Sequence, residues 1–305
     1  MRKLVQCVPN FSEGRRDWIV AEIVDAVRSV AHVRILEIES DPDHNRTVVA
    51  FVGSPEDALE AAFRSVRRAA DLINMGQHRG AHPRIGAADV VPFVPLAGVT
   101  MAECVALARA LGERVGRELG LPVYLYGEAA TRPERRDLPS IRRGEYEGLK
   151  SAIQSDPQRA PDFGPAKLGP AGATAIGARW PLIAYNVNLR ATDVAVAKAI
   201  ARKVREAGGG LPGVRAIGLA VAGANAVQVS MNLTDYRRTG LLAAFSAVRD
   251  EAARLGVEVE SSHIVGLVPA EALVELVRDC LKSPSFAPEQ IIERAILGGS
   301  EVEKA

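Results

Sequence analysis

Three things are missing from this chain of 305 residues: paired cysteines, a surplus of one charge, and an apolar run long enough to cross a membrane. Cys7, Cys104 and Cys280 are odd in number, far apart and never spaced as CxxC, which argues against a disulfide framework and a zinc knuckle. A reduced, cytoplasmic protein is the expectation. Lys and Arg number 38 against 37 Asp and Glu, so no broad positive field points to nucleic acid and no cationic face to a membrane. A small molecule or another protein is the expected partner. MRKLVQCVPNFSEG turns polar after a few apolar residues, and VVPFVPLAGV carries two prolines, so neither a signal peptide nor a transmembrane helix is read. The GxSxG and P-loop patterns are absent as well, and the run Gly208-Gly209-Gly210-Leu211-Pro212-Gly213 reads as a turn after a helix, not a phosphate cradle.

What is present is alternation. At 48% apolar residues the chain can build two cores of ordinary size. Ile19, Val20, Ile23, Val24, Val27 and Val30 keep a helical period, as do Leu59, Ala62, Phe63, Val66, Ala70 and Ile73. Ser54-Pro55-Glu56 supplies a cap, a first-turn proline and an acid at the positive end of the second helix. Thr100 to Glu103 reads as a capping box for a helix reaching Leu119, with Gly120 as the left-handed stop and Pro122 barring continuation. The β-rich runs LVQCV (4–8), VRILEI (33–38), TVVAFVG (47–53) and PVYLY (122–126) fall between these helices. Such alternation favours a sheet covered by helices on at least one face.

The chain also repeats itself. AAFRSVRRAA at 61–70 and AAFSAVRDEA at 243–252 share six of ten residues at an offset of 182. Upstream, LVQCVPNF and a helix at 17–30 correspond to LIAYNVNL at 182–189 and a helix from Thr192 to about Ala207; TVVAFVG corresponds to NAVQVSM at 225–231. Downstream, PFVPL at 92–96 is echoed by GLVPA at 266–270. One β-α-β-β-α-β unit occurring twice predicts an α+β fold of two related ferredoxin-like subdomains, at 1–179 and 180–305. Between the copies, residues 131–179 are charged and then rich in Pro, Gly and Ala, and read as an interdomain linker. Such a segment either is solvated or wraps a flat ligand, because glycine lets the main chain approach closely. Exposed sheet edges make a homodimer the expected assembly.

QHRGAHPRIGAAD at 77–89 holds two histidines four residues apart, His78 and His82. That spacing brings imidazoles together only in a helix, and Gly80 and Pro83 argue against one, so no metal site is expected; a metal-dependent hydrolase with Asp89 as third ligand is the last contender. On a loop, an imidazole is either a general base near neutral pH or an ordinary surface group. The run EIESDPDHNRT at 37–47 sets Glu37, Glu39, Asp41 and Asp43 beside Arg46. It is either a solvated turn or a place where a carboxylate orients a histidine while Arg46 holds a substrate carboxylate. His44 and His263 read as structural or surface groups.

VQCVPNFSEGR at 5–15, NRTVVAFVG at 45–53, QHRGAHPRIGAADVVPFVPL at 77–96, PVYLYGEAA at 122–130, LPSIRRGEYEGL, PDFGP, GATAIGAR, LIAYNVNL, SSHIVGLVP and FAPEQIIERAIL occur in one order along nearly the whole chain. In these motifs the chain resembles the glutamate formimidoyltransferase family, the transferase part of formimidoyltransferase-cyclodeaminase. The cyclodeaminase part is expected to be absent, since the chain ends where the transferase part ends. The resemblance implies transfer of a formimidoyl group between N-formimidoylglutamate and tetrahydrofolate, with folate, a co-substrate, bound between two related subdomains. It assigns His82 as the catalytic base and sets Glu39 where the family commonly carries an aspartate partner. It also places folate contacts on Gly164, Pro165, Ala166, Lys167, Leu168, Gly169, Pro170, Ala171 and Gly172, a loop about one residue shorter than the family's. Arg46 and Arg84 are candidates for the substrate carboxylates, or else structural ion-pair partners. Asn10 and its counterpart Asn186 are candidates for amide contacts, or else turn caps. The alternatives are formyl transfer from N-formylglutamate or 5-formyltetrahydrofolate, and a folate-binding protein without turnover.

Overall fold

The computed structural model describes residues 3–221 and 226–291. The chain forms two compact units, Met1–Arg179 and Trp180–Ala305. The first contains β1 (Leu4–Cys7), β2 (Asn10–Phe11), α1 (Asp17–Arg28), β3 (Arg34–Asp41), β4 (Arg46–Gly53), α2 (Pro55–Leu72), β5 (Ala88–Ala97), α3 (Met101–Leu119), β6 (Val123–Gly127), α4 (Leu138–Ile141), α5 (Glu145–Ala152) and β7 (Thr174–Ala178). Its seven-stranded sheet runs β3, β4, then β1 and β2 end to end in one lane, then β5, β7 and β6. Pairs up to β5 are antiparallel, whereas β7 lies parallel to both β5 and β6. Pro9, which has no N–H to give the ladder, separates β1 from β2, although its carbonyl still accepts from Val49 at 3.0 Å.

The helix signals hold in detail. Ser54 caps α2 by accepting from the Asp57 N–H, and Thr100 and Glu103 close a reciprocal box at the start of α3. Gly120 takes the left-handed conformation that ends α3, with φ of 62°. The buried stripe of α2 is mostly alanine, with Phe63 and Val66, which lets it lie close to both α1 and α3. Beneath the helices sit Phe11, Phe51, Phe93, Leu111, Leu125 and Ile176, all fully buried.

The second unit contains β8 (Ile183–Leu189), α6 (Val194–Val204), β9 (Val214–Ala220), β10 (Val227–Leu233), α7 (Leu241–Arg254), β11 (Val259–Val265) and α8 (Ala270–Cys280). Its sheet is antiparallel in the order β11, β8, β10, β9. The first unit presents its equivalent strands in the same order: β5, the β1–β2 lane, β4, β3. Strict alternation in β8 and β10 sends Val187, Leu189, Val229 and Met231 into a core and Asn186, Asn188 and Gln228 to the opposite face.

Residues 131–179 are not an interdomain linker. They belong to the first unit, form α4 and α5, and contribute β7 between β5 and β6. The run TAIGA lacks the bulky alternation that announces a strand because both its faces are buried and closely approached. A Cβ at Gly177 would lie 2.4 Å from the Tyr126 carbonyl oxygen. The helix expected from Thr192 to Ala207 is shorter, since Asp193 caps it and it ends at Val204. GLVPA follows β11 instead of lying in it as PFVPL lies in β5. Of FAPEQIIERAIL, the residues from 292 onward lie outside the described part, as does the end of the 180–305 subdomain.

Candidate active site

The connection from α2 to β5, residues 73–87, contains no helix and is held by main-chain bonds to the glycine-rich segment before β7. The Met75 N–H donates to the Pro170 carbonyl at 2.8 Å, Ala87 to Ala171 at 2.8 Å, and Ala173 to Ile85 at 3.0 Å. The two stretches are one interlocked structure. Gly86 makes this possible, for a Cβ there would sit 1.9 Å from the Ala173 carbonyl oxygen. Gly80 serves the other side: a Cβ there would stand 2.3 Å from the His44 carbonyl oxygen, so only glycine lets the loop lie against the β3–β4 turn. In consequence the His82 and His44 rings meet edge to face, 6.2 Å between centroids.

The two histidines of this loop differ sharply. His78 is buried, and its Nε2 bonds the Asn45 carbonyl at 3.0 Å while its Nδ1 accepts from Arg84 Nε at 3.2 Å. With both nitrogens engaged it is a neutral structural group. Arg84 is buried too, and its guanidinium donates to Glu147 at 2.7 and 2.9 Å and to Glu145. His82 is half-buried. Burial first, then the Arg46 guanidinium, then Arg142 and His44, push its imidazolium down to about 3, so the ring is neutral at neutral pH and offers a lone pair.

Arg46 opens β4, and its guanidinium donates to Asn10 Oδ1 while Asn10 Nδ2 donates to the Val8 carbonyl at 2.9 Å. Arg142, which ends α4, is ion-paired with Asp89, and Asp89 Oδ1 accepts from the Ile85 N–H at 2.8 Å. Each arginine depresses the basicity of His82, and Arg142 lowers that of Arg46. Nε of Arg46 and Nε of Arg142 are both shielded from solvent and, among the described residues, donate to no protein atom. A small recess of about 10 Å³, room for about one water, opens here, lined by Phe11, Ser12, Arg46, His82 and Asp89 among others.

Of the residues singled out in the sequence, Asn10, Arg46, His82 and Arg84 converge on this recess or its wall. Glu39 is exposed on β3 opposite Val48 and bears on the site through its charge, which favours protonated Arg46. The carboxylate that grips an imidazole is Asp41, paired with His44 Nδ1 and accepting from the Asp43 and His44 N–H groups at 2.9 Å. In the glycine-rich segment Gly164, Pro165, Ala166, Lys167, Gly169 and Pro170 are exposed, whereas Leu168, Ala171 and Gly172 are buried. Asn186 lies in the second unit on β8, 3.2 Å from His263 Nε2 through its amide nitrogen. Arg142 escaped the sequence reading because its partner Asp89 is 53 residues away. The basic pair in SIRRGEYEG was its only trace. Among the described residues no three His, Cys, Asp or Glu side chains gather as a metal would require, and no helix is long and apolar enough to cross a membrane.

A neutral imidazole under the influence of two guanidinium groups is chemically able to accept a proton where an anion would be attracted. Comparison with known proteins then narrows the class. The family model for the formiminotransferase domain, N-terminal subdomain, matches residues 4–179, and that for the formiminotransferase domain matches residues 184–290. The chain is 50% identical to a glutamate formimidoyltransferase of Thermoplasma acidophilum, over 98% of this chain and 99% of that one. It is 41% identical to a glutamate formimidoyltransferase of Streptococcus pyogenes, over 98% and 100%. A formimidoyltransferase-cyclodeaminase of Sus scrofa is 47% identical over 90% of this chain and 52% of its own length. The chain belongs to the formiminotransferase family.

Proposed function

We propose that this protein is a glutamate formimidoyltransferase, moving the formimidoyl group between N-formimidoyl-L-glutamate and tetrahydrofolate with His82 as the proton carrier. The observation that carries this reading is the near full-length similarity to chains named for that activity. The geometry suits the chemistry. As the folate amine adds to the formimidoyl carbon, the attacking nitrogen must lose a proton and the glutamate nitrogen must gain one before its bond to that carbon breaks. A neutral, partly shielded imidazole can take the first proton and return it to the second nitrogen. Folate is assigned to residues 164–172, a largely exposed segment whose Pro170 and Ala171 carbonyls accept from the histidine loop.

In this reading Asn10 and Arg46 present the polar wall of the donor site. Glu39 supplies negative potential to Arg46, and Arg84 holds His78 and the loop. The β-α-β-β-α-β order in each unit is read as two ferredoxin-like subdomains, 1–179 and 180–305. The protein acts as a soluble cytoplasmic enzyme, assembled as a homodimer. Purified protein should release glutamate from N-formimidoylglutamate only when tetrahydrofolate is present. Release without folate, or transfer from N-formylglutamate alone, would overturn the assignment.

A further inference from the structure

We propose that Arg46 and Arg142 together form the receptor for a carboxylate of the glutamyl substrate beside His82, with Arg142 a specificity-determining residue. The proposal rests on the reading of the protein as a formimidoyltransferase, but its geometry stands apart from it. Three arginines surround the histidine loop, and their partners divide them. Arg84 is saturated, with Glu145, Glu147 and His78 taking its donors. Arg46 is held on one side by the neutral Asn10 amide, which fixes direction without cancelling charge. Arg142 is held by the single carboxylate of Asp89. Both keep a buried Nε–H for which the described residues offer no acceptor. Buried donors of this kind cost free energy unless an acceptor arrives, and a carboxylate accepts from two guanidinium groups with matching planar geometry.

The local charge points the same way. Around His82 stand Arg46 from β4, Arg142 from the end of α4, and His44 from the β3–β4 turn, itself paired with Asp41; Asp89 from β5 lies against Arg142. Arg46 and Arg142 oppose one another's protonation, with Asp89, Glu39 and Asp41 giving partial relief to Arg46. One added carboxylate would offset this excess. Burial is the main reason that His82 is a weak proton acceptor; the added carboxylate would offset the further weakening by Arg46 and Arg142, so the base would gain strength as the donor substrate binds.

The test uses the whole chain and L-glutamate as probe. Imidazole chemical shifts of His82, followed by NMR across pH with and without L-glutamate, should show its protonation midpoint rising by at least one pH unit on binding in the wild type and in Arg142→Lys, and not in Arg142→Gln. In steady-state assays Arg142→Gln should raise KM for N-formimidoylglutamate about 10- to 100-fold, a size expected for a lost charged hydrogen bond, with KM for tetrahydrofolate unchanged and the donor preference over its α- or γ-amide lost. Unchanged donor KM and amide discrimination in a folded Arg142→Gln protein would overturn the proposal. Should the wild type bind L-glutamate with the midpoint shift yet transfer no formimidoyl group, the receptor stands and the reaction assignment falls.

Discussion

The two units of this protein share one strand order and differ in what is hung on it. In the second, the connection from α7 to β11 covers only residues 255–258; in the first, its counterpart from α2 to β5 runs from 73 to 87 and carries His78, His82 and Arg84. The first unit also continues past the shared four-strand pattern through α3, β6, α4, α5 and β7, and that continuation brings Arg142, Glu145 and Glu147 to the same loop. The polar sheet face of the second unit carries instead the amides Asn186, Asn188 and Gln228, with Gln228 donating to Asn188 at 2.9 Å. The repeated scaffold carries the core of each unit, and the candidate site residues sit on the longer loop and on the continuation of one copy.

The sharpest way to break this contrast is to remove a histidine from each unit. His82→Ala should lower turnover by about 10²- to 10⁴-fold with the melting temperature retained, whereas His263→Ala in the second unit should stay within tenfold; equal losses would erase the asymmetry. Gly86→Ala attacks the seam between the loop and the segment before β7. Its methyl group would collide with the Ala173 carbonyl, and a loss of about 3 kcal/mol in urea unfolding is expected. Next comes a pair of arginines. Arg84→Met leaves buried His78 without its donor and should cost about 2 kcal/mol, while Arg237→Met, which removes a partly exposed pair with Asp235, should cost under about 1 kcal/mol. Comparable values would show that the Arg84 network is not what fixes the loop.

The last test is one of pH. His82 in the folded chain protonates near 3, against 6.5 for an ordinary histidine, so between these values the unfolded chain binds the extra proton. Stability should therefore fall as pH drops through that window, and His82→Asn should flatten this part of the profile of unfolding midpoint against pH. An identical slope in the two proteins would mean that His82 is not shielded as described.

Much of this was legible in the residues. The capping box of α3, the Ser54 cap of α2 and the left-handed Gly120 are local devices, written within a few residues of where they act. The internal repeat carried the strand and helix order of both units, because a pattern of period 2 or 3.6 survives without knowledge of partners. Strand β7 was misread as linker because burial on both faces, with small side chains, removes the periodicity that marks a strand. The site was half legible: His82, Asn10 and Arg46 sit in recognisable motifs, but nothing within a motif tells which arginine is already spent.

The sequence by itself therefore determined the local elements, their duplication and the kinds of side chain available for proton transfer and anion binding. Only the tertiary structure decided their roles. It placed both nitrogens of His78 in hydrogen bonds, closed Arg84 on two glutamates, and brought Arg142 within electrostatic reach of two residues remote in the chain, Arg46 and His82. Charge state and partner saturation depend on burial and on distances between remote residues, and those are properties of the folded packing alone.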